Sequence, residues 1–252
     1  MDNSSILISI ITPVYNSERF LKKTIQYVQK QTYTNWEMIV VDDCSIDNSE
    51  RIIRDIMEKD HRIKYIKLEK NSGAAIARNT AIEKAKGRFI AFLDSDDLWE
   101  YNKLETQLKF MLENNIAFSF TSYSFIDEDG KELNKVVRVP KKINYEELLK
   151  NTIIHCFTVM IDKDKVGDFR MPLVRKGQDF ATWLSILKKG FYAYGINIHL
   201  GKYRIVNNSL SSNKLKALKR TWNIYRNVEK LSFIKSTYVF IFYCINAIRK
   251  RL

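Results

Sequence analysis

Arg88-Phe89-Ile90-Ala91-Phe92-Leu93-Asp94-Ser95-Asp96-Asp97 is the stretch on which the fold turns. Phe89 to Leu93 is an unbroken apolar run of strand length, and it stops at three carboxylates within four residues. Carboxylates that close repel one another, so a fold that gathers them at a strand end needs a divalent cation, or bulk solvent, to offset their charge. An isolated Asp-x-Asp is read most simply as a solvated loop. The surrounding pattern has to decide.

Upstream, the chain alternates strand and helix. Ile6 to Thr12 is apolar and β-branched and is followed by turn residues Pro13 and Asn16; Ser17 then caps a helix with apolar spacing at Phe20, Leu21, Ile25 and Val28. Glu37 to Val41 reads as a second buried strand ending at Asp42-Asp43. A helix from Asp47 or Ser49 to Met57 and a strand from Ile63 to Leu68 follow. Gly73 to Ala85 is Ala-rich and helical, closed by Gly87 ahead of the fourth strand. Strands joined by helices imply an α/β fold with a mainly parallel central sheet flanked by helices. Ligands bind such sheets beyond the C-terminal strand ends, and Pro13 to Asn16, Asp42-Asp43 and Asp94 to Asp97 all fall there. This convergence reverses the solvated-loop reading. Asp42-Asp43 keeps a second reading as a turn or cap before Asp47.

Past Leu98 the spacing predicts a helix over Lys103 to Leu112, a strand over Phe118 to Phe125 and a turn at Asp127-Glu128-Asp129-Gly130, after which the alternation breaks down. A helix near Phe180 to Lys188, short strands around Tyr192 and Tyr203, and helices over about Lys214 to Leu231 and Ile234 to Arg249 complete the reading.

The chain has 252 residues, 45% of them hydrophobic, with 8 Gly and 3 Pro, which suits one principal domain rather than a disordered or linker-rich chain. Cys44, Cys156 and Cys244 are odd in number and lack a C-x-x-C pair, against a disulfide framework or structural zinc. A reducing cytosol is expected, and no export, since Asp2 stands where a signal peptide carries basic residues. Net charge is +13, and residues 214–252 carry ten Lys or Arg against the single acid Glu229.

Thr12-Pro13-Val14-Tyr15-Asn16, Val41-Asp42-Asp43-Cys44-Ser45, Ala77-Arg78-Asn79 and Phe92-Leu93-Asp94-Ser95-Asp96-Asp97, in that order and spacing, resemble the family 2 glycosyltransferases. Gly177-Gln178-Asp179 with Trp183-Leu184, and Tyr203-Arg204 through Ser209-Leu210-Ser211, extend the resemblance to about Lys214. It implies a GT-A (Rossmann-like) fold: a catalytic domain over 1–212, with a nucleotide-sugar half (1–98) and an acceptor half (99–212), then C-terminal helices in a basic amphipathic segment (213–252). It further implies an inverting transfer from a nucleotide-diphosphate sugar, a UDP-sugar foremost. Pro13 and Tyr15 would line the base pocket and Asp43 would accept from the uracil imide. Asp94 would contact ribose and metal, Asp96 would hold the Mn2+ or Mg2+ that bridges the diphosphate, and Asp97 would add a neighbouring metal contact. Arg78, Arg204 and Lys214 would offer positive charge to the donor, Arg78 having a surface salt bridge as its other reading.

Inversion in one displacement needs a base opposite the leaving group, and Asp179 is the candidate. The family pattern has Glu-Asp where this chain has Gln178-Asp179, and a helix N-cap is the other reading of Asp179. Many relatives carry a His where this chain has Val206, so a metal site would lean on carboxylates, phosphate and water. His61, His155 and His199 show no ligand spacing; Trp99 and Trp183 suit the core, with sugar stacking as their alternative. The apolar, basic segment from Phe233 to Arg251 is too short for an ordinary membrane span and suits attachment to an anionic membrane surface or packing on the domain, rather than nucleic acid. The whole chain resembles small bacterial enzymes of teichuronic acid and capsular polysaccharide biosynthesis, which implies a saccharide acceptor linked to polyprenyl diphosphate at the inner face of the cell membrane. A receiver domain is excluded because its acidic pair follows the first strand, not the second. The competing reading is a catalytically silent GT-A module that binds nucleotide sugar in a regulatory or scaffold role, kept open by Gln178 and Val206.

Overall fold

The computed structural model describes residues 5–206 and 214–249. Its first four strands, β1 (Ile8–Val14), β2 (Trp36–Asp42), β3 (Ile63–Lys67) and β4 (Phe89–Phe92), follow the alternation read above. They lie in the order β3-β2-β1-β4, every pair parallel, with α1 (Glu18–Gln29), α2 (Ser49–Met57) and α3 (Ala74–Lys84) as crossovers. Successive strand residues point to opposite faces and split the core in two. Ile10, Met38, Val40, Phe89 and Ala91 pack with Leu21 and Ile25 of α1 and Ile53 of α2. Ile11, Ile39, Val41, Ile90 and Phe92 pack with α3. Ala75, Ala77 and Ala81 carry no bulk beyond Cβ, which lets α3 lie close against the sheet.

The register Val14↔Asp42 aligns the ends of β1 and β2, and Ile11↔Phe92 brings the end of β4 to the same edge. The three sequence segments that end these strands are therefore neighbours. Ser17 stands at the N-cap position of α1, yet its hydroxyl caps nothing: it bonds the Tyr15 carbonyl at 3.2 Å and the Ser95 hydroxyl at 2.8 Å. A tie between two loops has displaced the local cap.

The second half extends the same sheet. β5 (Leu98–Trp99) and α4 (Lys103–Glu113) lead to β6 (Phe118–Ile126), which turns through Asp127 to Gly130 into β7 (Glu132–Val137). Then come β8 (Lys142–Ile143), α5 (Tyr145–Leu149), a 3-10 turn (Cys156–Thr158), β9 (Met160–Asp162), α6 (Lys163–Val166), α7 (Gln178–Lys188) and β10 (Ala193–Arg204). β9 runs antiparallel to both β4 and β6 and joins the halves into one ten-stranded sheet. β1 to β4, β6 and β10 share one direction, so the mainly parallel expectation holds, with antiparallel strands added at β5, β7, β8 and β9. The strands expected separately around Tyr192 and Tyr203 are one strand, β10, whose register shifts at His199. Bulges hide its period of two from the sequence.

The basic C-terminal segment packs on the domain. α8 (Lys214–Asn223) runs on through a π-helical turn (Ile224–Val228), and α9 (Phe233–Arg249) folds back. Ile224, Tyr225, Leu231 and Val239 belong to the same buried cluster as Phe180, Trp183 and Leu187. Glu229 accepts from the Tyr145 hydroxyl at 2.7 Å and pairs with Lys188 at 3.1 Å, while Lys235 pairs with Glu146 at 2.6 Å. No described helix is long and apolar enough to cross a membrane. Trp99 and Trp183 are fully buried, and the Trp99 indole donates to the Phe157 carbonyl at 2.8 Å, so both are core residues.

Candidate active site

The acidic loop after β4 is held from several sides. The Thr24 hydroxyl on α1 reaches the carbonyls of Ser95 and Asp97, each at 3.0 Å. The Arg204 backbone N–H, at the end of β10, donates to the Asp97 carboxylate at 2.9 Å, and Asp97 is buried. Burial, reinforced by Asp96 and Asp94, pushes the Asp97 carboxyl well above the usual range. Asp96 is pushed up to about 6 by burial and by Asp94, against the opposing pull of Arg204 and Arg78. The three acids thus share one pocket edge, with Asp97 turned into the structure.

Arg78 on α3 is buried and donates to the Asp94 carboxylate. Burial alone would weaken its charge; Asp94 foremost, with Asp179 behind it, more than reverses this and holds the guanidinium firmly protonated. Its Nε is buried and has no hydrogen-bond partner among the described residues. The surface salt bridge considered for Arg78 is therefore a pair between a buried guanidinium and a partly exposed carboxylate, and the field of Asp179, 85 residues from Asp94 in sequence, reaches the same guanidinium.

Asp179 lies in the first turn of α7, whose N-cap is Gly177, so the capping reading of Asp179 does not hold. Its neighbour Gln178 is buried, and its Oε1 has no hydrogen-bond partner among the described residues. Gly177 has φ 78°, a left-handed conformation that favours glycine, and a Cβ there would stand 2.7 Å from Ile224 Cδ1 and 3.1 Å from Arg220 Cδ. α8 therefore closes directly on the turn that presents Asp179.

Asp42 and Asp43 divide their roles. Asp42 accepts from the Ser45 N–H at 2.9 Å, the Ser45 hydroxyl at 2.5 Å and the Tyr65 hydroxyl at 2.8 Å, which is the turn reading. Asp43 accepts from the N–H groups of Ser72 and Gly73 at 2.6 and 2.8 Å, and so sits at the entrance to α3. Pro13 is in β1 opposite Val41, and Tyr15 just beyond is 50% exposed over the strand ends. Cys44 has φ 65°, a strained conformation at this same edge.

Arg204 is buried, and its guanidinium is engaged by carbonyls: Asp96 at 2.7 Å, and Asp127 and Glu128 at 3.0 Å each. It also lies 4.7 Å from the Phe20 ring centroid, and among the described residues its Nη2 has no hydrogen-bond partner. It clamps the acidic loop to the β6–β7 turn. Ser209 to Ser211 lie outside the described residues, as does the side chain of Lys214.

Cys156 was not singled out from the sequence. Its buried thiol is pushed up by burial and by Asp94, Asp179 and Asp97, and its field reaches Arg78, which places it among the same groups. A lone cysteine without a motif gives no signal that would have found it. Among the described residues no group of three or more His, Cys, Asp or Glu is arranged to hold a metal by itself.

Residues 9–169 match the family model for glycosyl transferase family 2. The chain is 52% identical over 252 residues, covering 100% of both chains, to the putative teichuronic acid biosynthesis glycosyltransferase TuaG of Bacillus subtilis (strain 168). It is 44% identical over 243 residues, 96% of this chain and 92% of the other, to the UDP-Glc:alpha-D-GlcNAc-diphosphoundecaprenol beta-1,3-glucosyltransferase WfgD of Escherichia coli. Among solved structures, the mannosyltransferase PcManGT from Pyrobaculum calidifontis, in complex with GDP-Man and Mn2+, superposes with a TM-score of 0.71 at 16% identity, over 93% of this chain and 68% of that one. That likeness bears on the fold, which is GT-A. The parallel half-sheet, the acidic loop at its edge and these full-length relatives together make the chain a glycosyltransferase that belongs to glycosyl transferase family 2.

Proposed function

We propose that this enzyme is a metal-dependent inverting glycosyltransferase that moves a sugar from a UDP-sugar to a saccharide carried on a polyprenyl diphosphate, as in teichuronic acid or a capsular glycan, with Asp179 as general base. The observation that carries this reading is the position of Arg78: it pairs with Asp94 of the donor half while the field of Asp179, from the acceptor half, reaches it. The names of TuaG and WfgD support the acceptor class, and that of WfgD the UDP donor.

Asp94 and Asp96 would hold Mn2+ or Mg2+. Their hard carboxylate oxygens fit either ion, and donor phosphates and water would complete the set. Asp97, whose carboxylate already accepts from Arg204, would fix the loop that presents them. When bound, the ion supplies positive charge to the departing nucleotide diphosphate. Pro13 and Tyr15 would flank the base, Asp43 would take the imide N–H with a lone pair its two backbone bonds leave over, and Arg204 would hold the acidic loop in place. Asp179 would take the proton of the acceptor hydroxyl as it attacks the anomeric carbon.

The enzyme would work at the inner face of the cell membrane. α9 buries Ser236, Val239 and Tyr243 on one side and exposes Ile234, Tyr238, Ile241 and Ile245 on the other, an apolar stripe suited to the bilayer interface beside the basic residues of the segment. Thermal shift with UDP-, GDP-, dTDP- and CMP-sugars, with and without Mn2+, tests the donor site: one UDP-sugar should stabilise the protein only with metal, and Asp96→Asn should remove the effect. Asp179→Asn should keep donor binding and lower transfer by at least about 100-fold. Unchanged transfer in that variant would remove Asp179 from the role.

A further inference from the structure

We infer that the groove between α8 and α9 binds the diphosphate and first isoprene units of a polyprenyl-diphosphate acceptor, which deepens and rests on the reading above. The groove is an open one of about 780 Å3, with Leu218, Trp222 and Phe240 as its apolar lining. The Trp222 and Phe240 rings meet edge-to-face at 5.3 Å, which gives a rigid aromatic surface for branched hydrocarbon. Lys219 and Arg226 supply its charge, with Asn223 and Asn227 as further hydrogen-bonding groups.

Among the described residues no acid lines the groove. Arg226 donates to the Leu231 carbonyl, which fixes the guanidinium without neutralising it. The one acid of the segment, Glu229, is already committed to Tyr145 and Lys188. Two uncompensated cations above an aromatic floor match a ligand with a compact multivalent anion joined to a hydrocarbon chain.

The groove is also connected to the chemistry. α8 carries Arg220 and Ile224 against Gly177, two residues before Asp179, so one helix bears both the groove and a contact with the turn that presents the base. The exposed stripe of α9, continuous with Phe240 in the same helix, would let the rest of the lipid remain in the bilayer.

Tryptophan emission of the full-length protein tests this. Trp36, Trp99 and Trp183 are 2%, 0% and 0% exposed, so Trp222 is the indole a groove ligand would perturb. Geranylgeranyl diphosphate, titrated below its micelle concentration, should give a saturable change that Trp222→Phe abolishes. It should bind at least tenfold more tightly than geranylgeraniol or inorganic diphosphate, and Lys219→Glu should weaken it at least tenfold without altering the melting temperature; Lys219→Ala serves if the Glu variant unfolds. Equal binding of geranylgeraniol, no effect of the Lys219 variants, or a response only to phosphatidylglycerol vesicles overturns the proposal. If donor-dependent stabilisation by a UDP-sugar survives while the isoprenoid diphosphate fails to bind, the groove assignment alone is wrong. Loss of both removes the UDP-sugar donor reading as well.

Discussion

Replacing Lys103 by Met should stabilise the protein at neutral pH, and the gain should shrink as the solution is made alkaline. Lys103 opens α4 and is 0% exposed; its ammonium contacts the Gln107 side-chain carbonyl and lies 4.6 Å from the centroid of the Trp99 ring. Among the described residues no carboxylate pairs with it, and burial lowers its pKa from the ordinary 10.5 to about 7. As pH falls through the ordinary lysine range the unfolded chain takes up a proton that the folded protein refuses, so stability declines until the folded pKa is reached and is then level. A pKa lowered from 10.5 to about 7 corresponds to roughly 5 kcal/mol in full, of which about 2 kcal/mol falls between pH 9 and pH 7.

Lys103→Met removes this penalty but leaves Gln107 Oε1 without its donor, a loss of about 1–2 kcal/mol at every pH. The amide of Gln107 keeps its own bonds to Ser119 and the Thr158 carbonyl, each at 3.0 Å, so the site should not collapse. The net gain at pH 7 is then about 2–3 kcal/mol. Urea unfolding of both proteins at pH 7, 8 and 9 measures it. A stability difference that stays constant across that range would refute the reasoning, because only a proton uptake that differs between folded and unfolded chains makes it change.

Arg78→Gln should leave Asp94 without its cation and weaken UDP-sugar binding at least about tenfold, measured by calorimetry with metal present; an unchanged affinity would mean that the Arg78–Asp94 pair does not shape the donor site. Gly177→Ala places a methyl 2.7 Å from Ile224 Cδ1 at φ 78°, and should cost about 1–3 kcal/mol by thermal unfolding while lowering transfer more than donor binding. Arg204→Met should lower donor binding through loosening of the acidic loop, detected as faster amide exchange at Asp96 and Asp97, whose groups it engages.

Much of the first half of the chain was legible in the sequence because its information is local. Apolar runs of strand length, separated by capped or Ala-rich helices, dictate a parallel sheet, and a parallel sheet places Pro13, Asp43 and Asp94 at one edge whatever the remaining details. The acidic run marked that edge as a site and the six ordered motifs named its family. What the sequence could not reveal depended on partners distant in the chain. The Ser17 hydroxyl left its cap for Ser95, Arg204 spent its N–H groups on three carbonyls, and Cys156 came to stand among the acids, none of which leaves a period or a spacing to read. β7 and β9 were missed because one is exposed and the other is three residues long, and both exist through the strands beside them. The sequence by itself determined the sheet and the kinds of side chain at its edge, since hydrophobic periodicity and turn chemistry act over a few residues. Only the tertiary structure decided that Arg78 pairs with Asp94 within the field of Asp179, and that the basic tail packs against α5 and α7 as a grooved surface, because those interactions arise when segments far apart in the chain are desolvated together.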